Sequence, residues 1–139
     1  MTEGERLAMA AAQHVGVPFK LHGRDPSYGL DCIGLVAASL EAIGRKPAVP
    51  QGYRLRNTSI NRWLYDAKKS GFIETSGTIR AGDILLVRPG PAQHHLIIAV
   101  SGTEAIHAHA GLRRVVSSPL ANELLIAKHW RLIVPNKET

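Results

Sequence analysis

The chain has 139 residues, 45% hydrophobic and 20% charged, a size and balance that suit one globular domain around one core. Its apolar residues are dispersed and never form the long unbroken run that a membrane span requires, so no membrane span is expected. The formal charge is +6 and there is one cysteine, which excludes an internal disulfide framework and a paired-cysteine zinc site and suits anionic surroundings.

The N-terminal stretch MTEGERLAMAAAQHVGV mixes charges among alanines and lacks a basic region followed by an apolar one. It does not read as a secretory signal, and synthesis in the cytoplasm is expected. Within it Thr2 and Glu5 form a capping box, Leu7, Ala10 and Ala11 share a helix face, and Gly16-Val17-Pro18 stops the helix. A polar loop from Lys20 to Gly29 leads into Leu30-Asp31-Cys32-Ile33-Gly34-Leu35-Val36. From Cys32 onward Val36, Leu40 and Ile43 keep helical spacing until Gly44, which puts Cys32 in a helix's first turn. Residues 45–57 read as a surface loop, and Ile60, Trp63, Leu64 and Ala67 as the apolar stripe of a packing helix that ends at Gly71.

After Gly77 the pattern turns to strands. Arg80-Ala81-Gly82-Asp83 reads as a turn, Ile84 to Val87 as an apolar strand, and Pro89-Gly90-Pro91 as a breaker. His95–Val100 and Ala105–Ala110 follow as strands joined across Ser101-Gly102, then Arg113–Ser117 and a last strand over His129–Val134. Helices first and sheet second predict an α+β fold with an antiparallel sheet, as a single domain over residues 1–139.

The thiolate is the reactive form of cysteine, and a helix N-terminus favours it through unpaired N–H groups and the helix dipole. Cys32 is predicted to have such a place and a lowered pKa, and the same N–H groups would stabilise an oxyanion. Gly34 beside it permits close approach of substrate or backbone. The competing reading is a small buried hydrophobe. His95 and His107 bear on that choice. They flank Ser101-Gly102 at even separation, so a symmetric hairpin with an odd loop sets them nearly opposite on one face. One imidazole then takes the thiol proton while the other fixes its tautomer. A two-residue turn would put them on opposite faces, and His94 competes for the role of base. His109 shares a strand face with His107, so a zinc-binding histidine cluster is the subordinate reading. His14, His22 and His129 read as structural or solvent-facing, Asp31 as a helix cap and Asp83 as a turn residue.

Taken together, Leu30-Asp31-Cys32-Ile33-Gly34-Leu35-Val36, Ala81-Gly82-Asp83-Ile84-Leu85, His95-Leu96-Ile97-Ile98 and Ile106-His107-Ala108 resemble, in order and spacing, the NlpC family of papain-like bacterial cell-wall peptidases. Ile106-His107-Ala108-His109-Ala110-Gly111 and Ser117-Ser118-Pro119-Leu120 look most similar to the short members encoded with phage tails and gene transfer agents. The resemblance implies a papain-like fold with the catalytic helix packed on a C-terminal antiparallel sheet. It implies Cys32 as nucleophile, His95 rather than His94 as base, and His107 as the orienting residue. The implied substrate is the peptide stem of peptidoglycan, commonly cut after γ-linked D-glutamate, with Asp31 near the pocket for the stem's free end. Phe19 stands where the family usually has a tyrosine whose hydroxyl lies near the oxyanion. Tyr28 is the other candidate source of that hydroxyl, and Ile33 replaces a serine often found after the cysteine.

The expected activity is therefore a thiol endopeptidase that needs no cofactor or metal and acts on the cell wall, with tail or gene-transfer-agent proteins as further partners. Aromatic content of 5% and basic residues scattered apart from Lys68-Lys69 and Arg113-Arg114 argue against nucleic acid. The rival expectation is a non-enzymatic tail or wall-binding module with the same fold.

Overall fold

The computed structural model describes residues 1–47, 67–88, 95–120 and 124–133. Helix α1 spans Glu3–Ala12 and begins in the expected capping box: the Thr2 hydroxyl accepts from the Glu5 N–H at 3.0 Å while Glu5 accepts from the Thr2 N–H at 2.8 Å. Strands β1 (Arg24–Asp25) and β2 (Gly29–Leu30) form a small hairpin inside what the sequence presents as loop. Two residues per strand are too few for any period to show. Helix α2, Cys32–Ala42, follows at once, and Gly44 leaves it in the left-handed region at φ 82°.

The remaining strands are β3 (Phe72–Glu74), β4 (Ile84–Val87), β5 (His95–Ala99), β6 (Glu104–His109), β7 (Arg114–Pro119) and β8 (Ile126–Leu132). They form one antiparallel sheet in the order β3-β8-β4-β5-β6-β7. The α+β expectation holds. β3 is absent from the sequence reading, and β8 begins three residues before the expected His129. Most of the predicted helix at residues 60–67, the Pro89-Gly90-Pro91 breaker and His94 lie outside the described residues, though 67–69 are helical. Among the described residues no helix is long and apolar enough to cross a membrane.

α2 is the centre of the molecule. Every residue from Ile33 to Leu40 is buried, so this helix is apolar all round and is covered on all sides. Leu35 and Leu40 join Leu7 and Ala11 of α1 and one face of the sheet, including Ile84, Leu86, Leu96, Ile98, Ile106, Ala108 and Trp130. Each fully buried leucine contributes about 2–3 kcal/mol. The other sheet face carries Leu85, Val87, Ile97 and Ala105, covered by Ile79, Leu120 and Leu124. Both faces of β4 are therefore enclosed, which accounts for its unbroken Ile-Leu-Leu-Val run.

Two close approaches need glycine. A Cβ on Gly34 would collide with the Gly23 carbonyl, so α2 lies against the loop before it with no room for a side chain. Gly82, at φ 87°, packs backbone to backbone on Gly4 and thereby joins the β4 turn to α1.

That turn is also held by charge. Asp83 is fully buried and its carboxylate accepts from His129 Nε2 at 2.6 Å, from Arg131 Nε and Nη2 at 2.9 and 2.8 Å, and from the Arg80 N–H at 2.9 Å. Burial pushes its carboxyl upward, but the hydrogen bonds from Arg131, His129 and Arg80 outweigh burial and hold it below its ordinary range. Asp83 is thus a turn residue as predicted and also the hub that ties the turn to β8. His129 is buried as part of that hub, which settles the structural reading over the solvent-facing one.

Candidate active site

α2 starts at Cys32 because Asp31 caps it. Asp31, 1% exposed, accepts from the Gly34 N–H at 2.8 Å and from Arg24 Nη1 at 3.1 Å on Oδ1, and from the His22 N–H at 2.8 Å on Oδ2. The cap reading is what the geometry shows, and Arg24 and the His22 backbone are partners that no local pattern announces. Capping also removes the Gly34 N–H from the donors at the helix start, leaving those of Cys32 and Ile33 on the thiol side.

The Cys32 thiol is partly buried and packs against the main core, as does Phe19. Its pKa is pushed up to about 12, chiefly by burial. The Leu96 N–H acts against that, the Asp31 charge adds to it, and the N–H groups of Ile33 and Cys32 itself oppose it. The expectation of a lowered pKa is thus corrected. A helix terminus is worth about 2 kcal/mol at best, and here a capping carboxylate offsets it while, among the described residues, no cation opposes desolvation.

Contact with the Leu96 N–H puts the thiol at the start of β5, one residue beyond His95. His95 Nε2 lies 3.1 Å from His107 Nδ1, with the rings edge to face at a centroid separation of 5.2 Å. The hairpin register that brings them together pairs Ile98 with Ile106 and Ala99 with Ala105. Pairs summing to an even number place 95 and 107 on one face, as the odd-loop expectation requires, though His95 is displaced by two residues from the position opposite His107. His107 Nε2 then reaches Ser118 Oγ at 2.8 Å. Ser118 pairs with Ala105 and His107 with Val116, so the contact is a diagonal across β6 and β7. Ser118 has no role in the sequence reading. Its even offset from Val116 would reveal it only once the β6–β7 register is known.

Burial, followed by the neighbouring His107 and His109, pushes the His95 imidazole down to about 3. Burial and then His109 lower His107. Both shifts favour the neutral imidazole, and burial likewise favours the protonated form of the Cys32 thiol. His109 lies 5.6 Å from the His107 ring and uses Nδ1 to accept the Leu112 N–H at 3.0 Å. Among the described residues no group of three or more His, Cys, Asp or Glu side chains is arranged to hold a metal.

Phe19 bridges Leu30 through its backbone, and its N–H donates to the Arg113 carbonyl at 2.9 Å. The segment before it is laced to the start of β7, with Val115 donating to the Val17 carbonyl at 2.8 Å. The ring thus reaches the cluster that holds Cys32, without a hydroxyl. Tyr28 is 74% exposed, in the turn between β1 and β2.

A papain-like α+β domain, with a thiol at the start of its central helix set against a strand that opens on a hydrogen-bonded histidine pair, is the class this arrangement defines. The chain belongs to the NlpC/P60 family, whose model matches residues 16–134. The curated protein P54 of Enterococcus faecium is 26% identical over 106 residues, 76% of this chain and 18% of that protein, so the chain spans under a fifth of that relative's length. The solved NlpC/p60 domain of the peptidoglycan hydrolase SagA is similar with a TM-score of 0.62 at 24% identity, over 96% of this chain and 100% of that one. The peptidoglycan hydrolase RipB of Mycobacterium tuberculosis is similar with a TM-score of 0.63 at 20% identity, over 95% of this chain and 65% of that one.

Proposed function

We propose that this chain is a cysteine peptidase that hydrolyses the peptide stems of peptidoglycan. The observation that carries the reading is the juxtaposition of Cys32 with the start of β5, where His95 is hydrogen-bonded to His107. His95 Nε2 is occupied by His107, which leaves Nδ1 as the base. The thiol proton passes to Nδ1 as sulfur bonds to the amide carbonyl carbon. The tetrahedral oxyanion is held by the N–H groups of Cys32 and Ile33, since that of Gly34 is taken by Asp31. His95 returns the proton to the leaving amine, then deprotonates the water that cleaves the thioester, and the released sulfur recovers its proton.

The net charge of +6 suits an anionic wall polymer. SagA and RipB, described as peptidoglycan hydrolases, support the substrate class. The bond proposed is that between γ-D-glutamate and the following diamino acid, with Asp31 near the place of the stem's free end, as the family resemblance implies. Association with a tail-like particle is the accompanying proposal, supported by the similarity of residues 106–111 and 117–120 to short tail-encoded members. Recovery of the chain free of purified particles would count against it.

The test is a digest of purified peptidoglycan with the wild type and Cys32→Ala, analysed by mass spectrometry. Release of stem fragments by the wild type alone is expected. Equal release by both, or by neither, removes the thiol mechanism.

A further inference from the structure

We infer that His109 and Arg114 form a carboxylate-binding pair beside the histidines of the candidate site, and that the group they take is the free α-carboxylate of γ-linked glutamate in the stem. This rests on the thiol-peptidase reading and adds to it two residues that read the substrate's charge. His109 ends β6, Arg114 begins β7, and the two are paired directly across the ladder, so their side chains leave the same face of the sheet. That is the face of His107, two residues back along β6 with its ring 5.6 Å from that of His109, and through the β5–β6 register also of His95. The opposite face carries Ala108 and Val115, which are buried in the core with α2.

Each member of the pair has a donor to spare. The Leu112 backbone N–H can only donate, so its 3.0 Å bond to His109 Nδ1 makes that nitrogen the acceptor and puts the ring hydrogen on Nε2. His109 is half-buried, and among the described residues its Nε2 has no hydrogen-bond partner. Arg114 is exposed and, among the described residues, makes no ion pair, whereas Arg24, Arg45 and Arg131 are held by carboxylates. A guanidinium and an imidazole N–H on one face supply donors, a positive charge and no acceptor. They favour a carboxylate, hold a carboxamide less well because it has one acceptor oxygen and no charge, and repel an ammonium. A linkage through the γ-carboxyl of glutamate leaves the α-carboxyl free, so the proposed substrate carries such a group close to the scissile amide. Backbone bonds tie this turn to the rest of the site: the Phe19 N–H donates to the Arg113 carbonyl at 2.9 Å, and Phe19 packs on the cluster that holds Cys32.

The test measures hydrolysis of two synthetic stem peptides that differ only in an α-carboxylate or an α-carboxamide on the γ-linked glutamate, by wild type, Arg114→Gln, Arg114→Lys and His109→Ala. Wild type is expected to prefer the carboxylate peptide about tenfold in kcat/KM, chiefly through KM, with the preference falling to about twofold in Arg114→Gln and largely kept in Arg114→Lys. Equal rates on the two peptides by wild type, or a preference that survives in both Arg114→Gln and His109→Ala, overturn the inference. Binding of the same peptides to Cys32→Ala, with and without Arg114→Gln, is read by calorimetry without turnover. Carboxylate-selective binding that Arg114→Gln removes, in a protein whose wild type hydrolyses neither peptide, defeats the peptidase reading and leaves the pair standing, whereas binding that does not distinguish the peptides defeats the pair. NMR of 15N-labelled histidine in wild type is expected to show His109 protonated at Nε2, and a hydrogen on Nδ1 also overturns the inference. Thermal melts identify a His109→Ala protein that fails to fold for want of its turn bond, and the exposed Arg114 variants then carry the comparison.

Discussion

Replacing Asp83 by alanine removes the acceptor of four donors in a fully buried position. The Arg131 guanidinium loses both of its bonds to the carboxylate, His129 Nε2 loses a 2.6 Å bond, and the Arg80 N–H loses its side-chain acceptor. Breaking a buried pair by removing one partner costs about 3–5 kcal/mol, because the remaining charge keeps its desolvation penalty without its attraction. Arg131 is 28% exposed in its side chain, so water recovers part of that penalty and the lower end, about 3 kcal/mol, is expected. For a chain of this length that corresponds to a fall in Tm of roughly 10 °C, read by circular dichroism with a urea titration for the free energy. Asp83→Asn keeps the shape and loses the charge, and should cost about half as much. The pH dependence has a definite sign. The folded-state pKa is depressed, so this stabilisation is complete above the ordinary carboxylate pKa and lost as pH falls through the lower folded value. The Tm gap between wild type and Asp83→Asn should therefore be full at pH 7 and close below about pH 4. A gap that persists undiminished in acid, or an alanine variant within about 3 °C of wild type, would refute the ion-pair account.

At Gly34 a Cβ meets the Gly23 carbonyl, so Gly34→Ala should displace the loop from α2 and cost about 1–3 kcal/mol of stability, read by urea melts against wild type. For Cys32, a pKa near 12 predicts iodoacetamide alkylation that is roughly a thousandfold slower at neutral pH than for an ordinary thiol and that rises about tenfold per pH unit without a plateau up to pH 9. A plateau near neutrality would instead indicate a preformed thiolate–imidazolium pair.

Elements with a strong local signal were legible before the structure. The Val36, Leu40 and Ile43 spacing with Gly44 beyond it places a helix at Cys32, and the Ile-Leu-Leu-Val run places β4. In β3, three residues give no period, and the strand exists because β8 offers it a partner. The hairpin β1–β2 is hidden for the same reason.

By itself, the sequence determined which residue is the sole thiol, that it begins a helix, and that two histidines stand at even separation on successive strands. Those follow from order and periodicity, which are properties of neighbours along the chain. Only the tertiary structure decided that the loop between those strands is odd, that Ser118 terminates the histidine line, and that Asp83 meets His129 across 46 residues. It also reversed the expected ionisation of Cys32. A helix dipole is local and can be read from position, whereas desolvation depends on everything packed around the sulfur, and at this site desolvation is the larger effect.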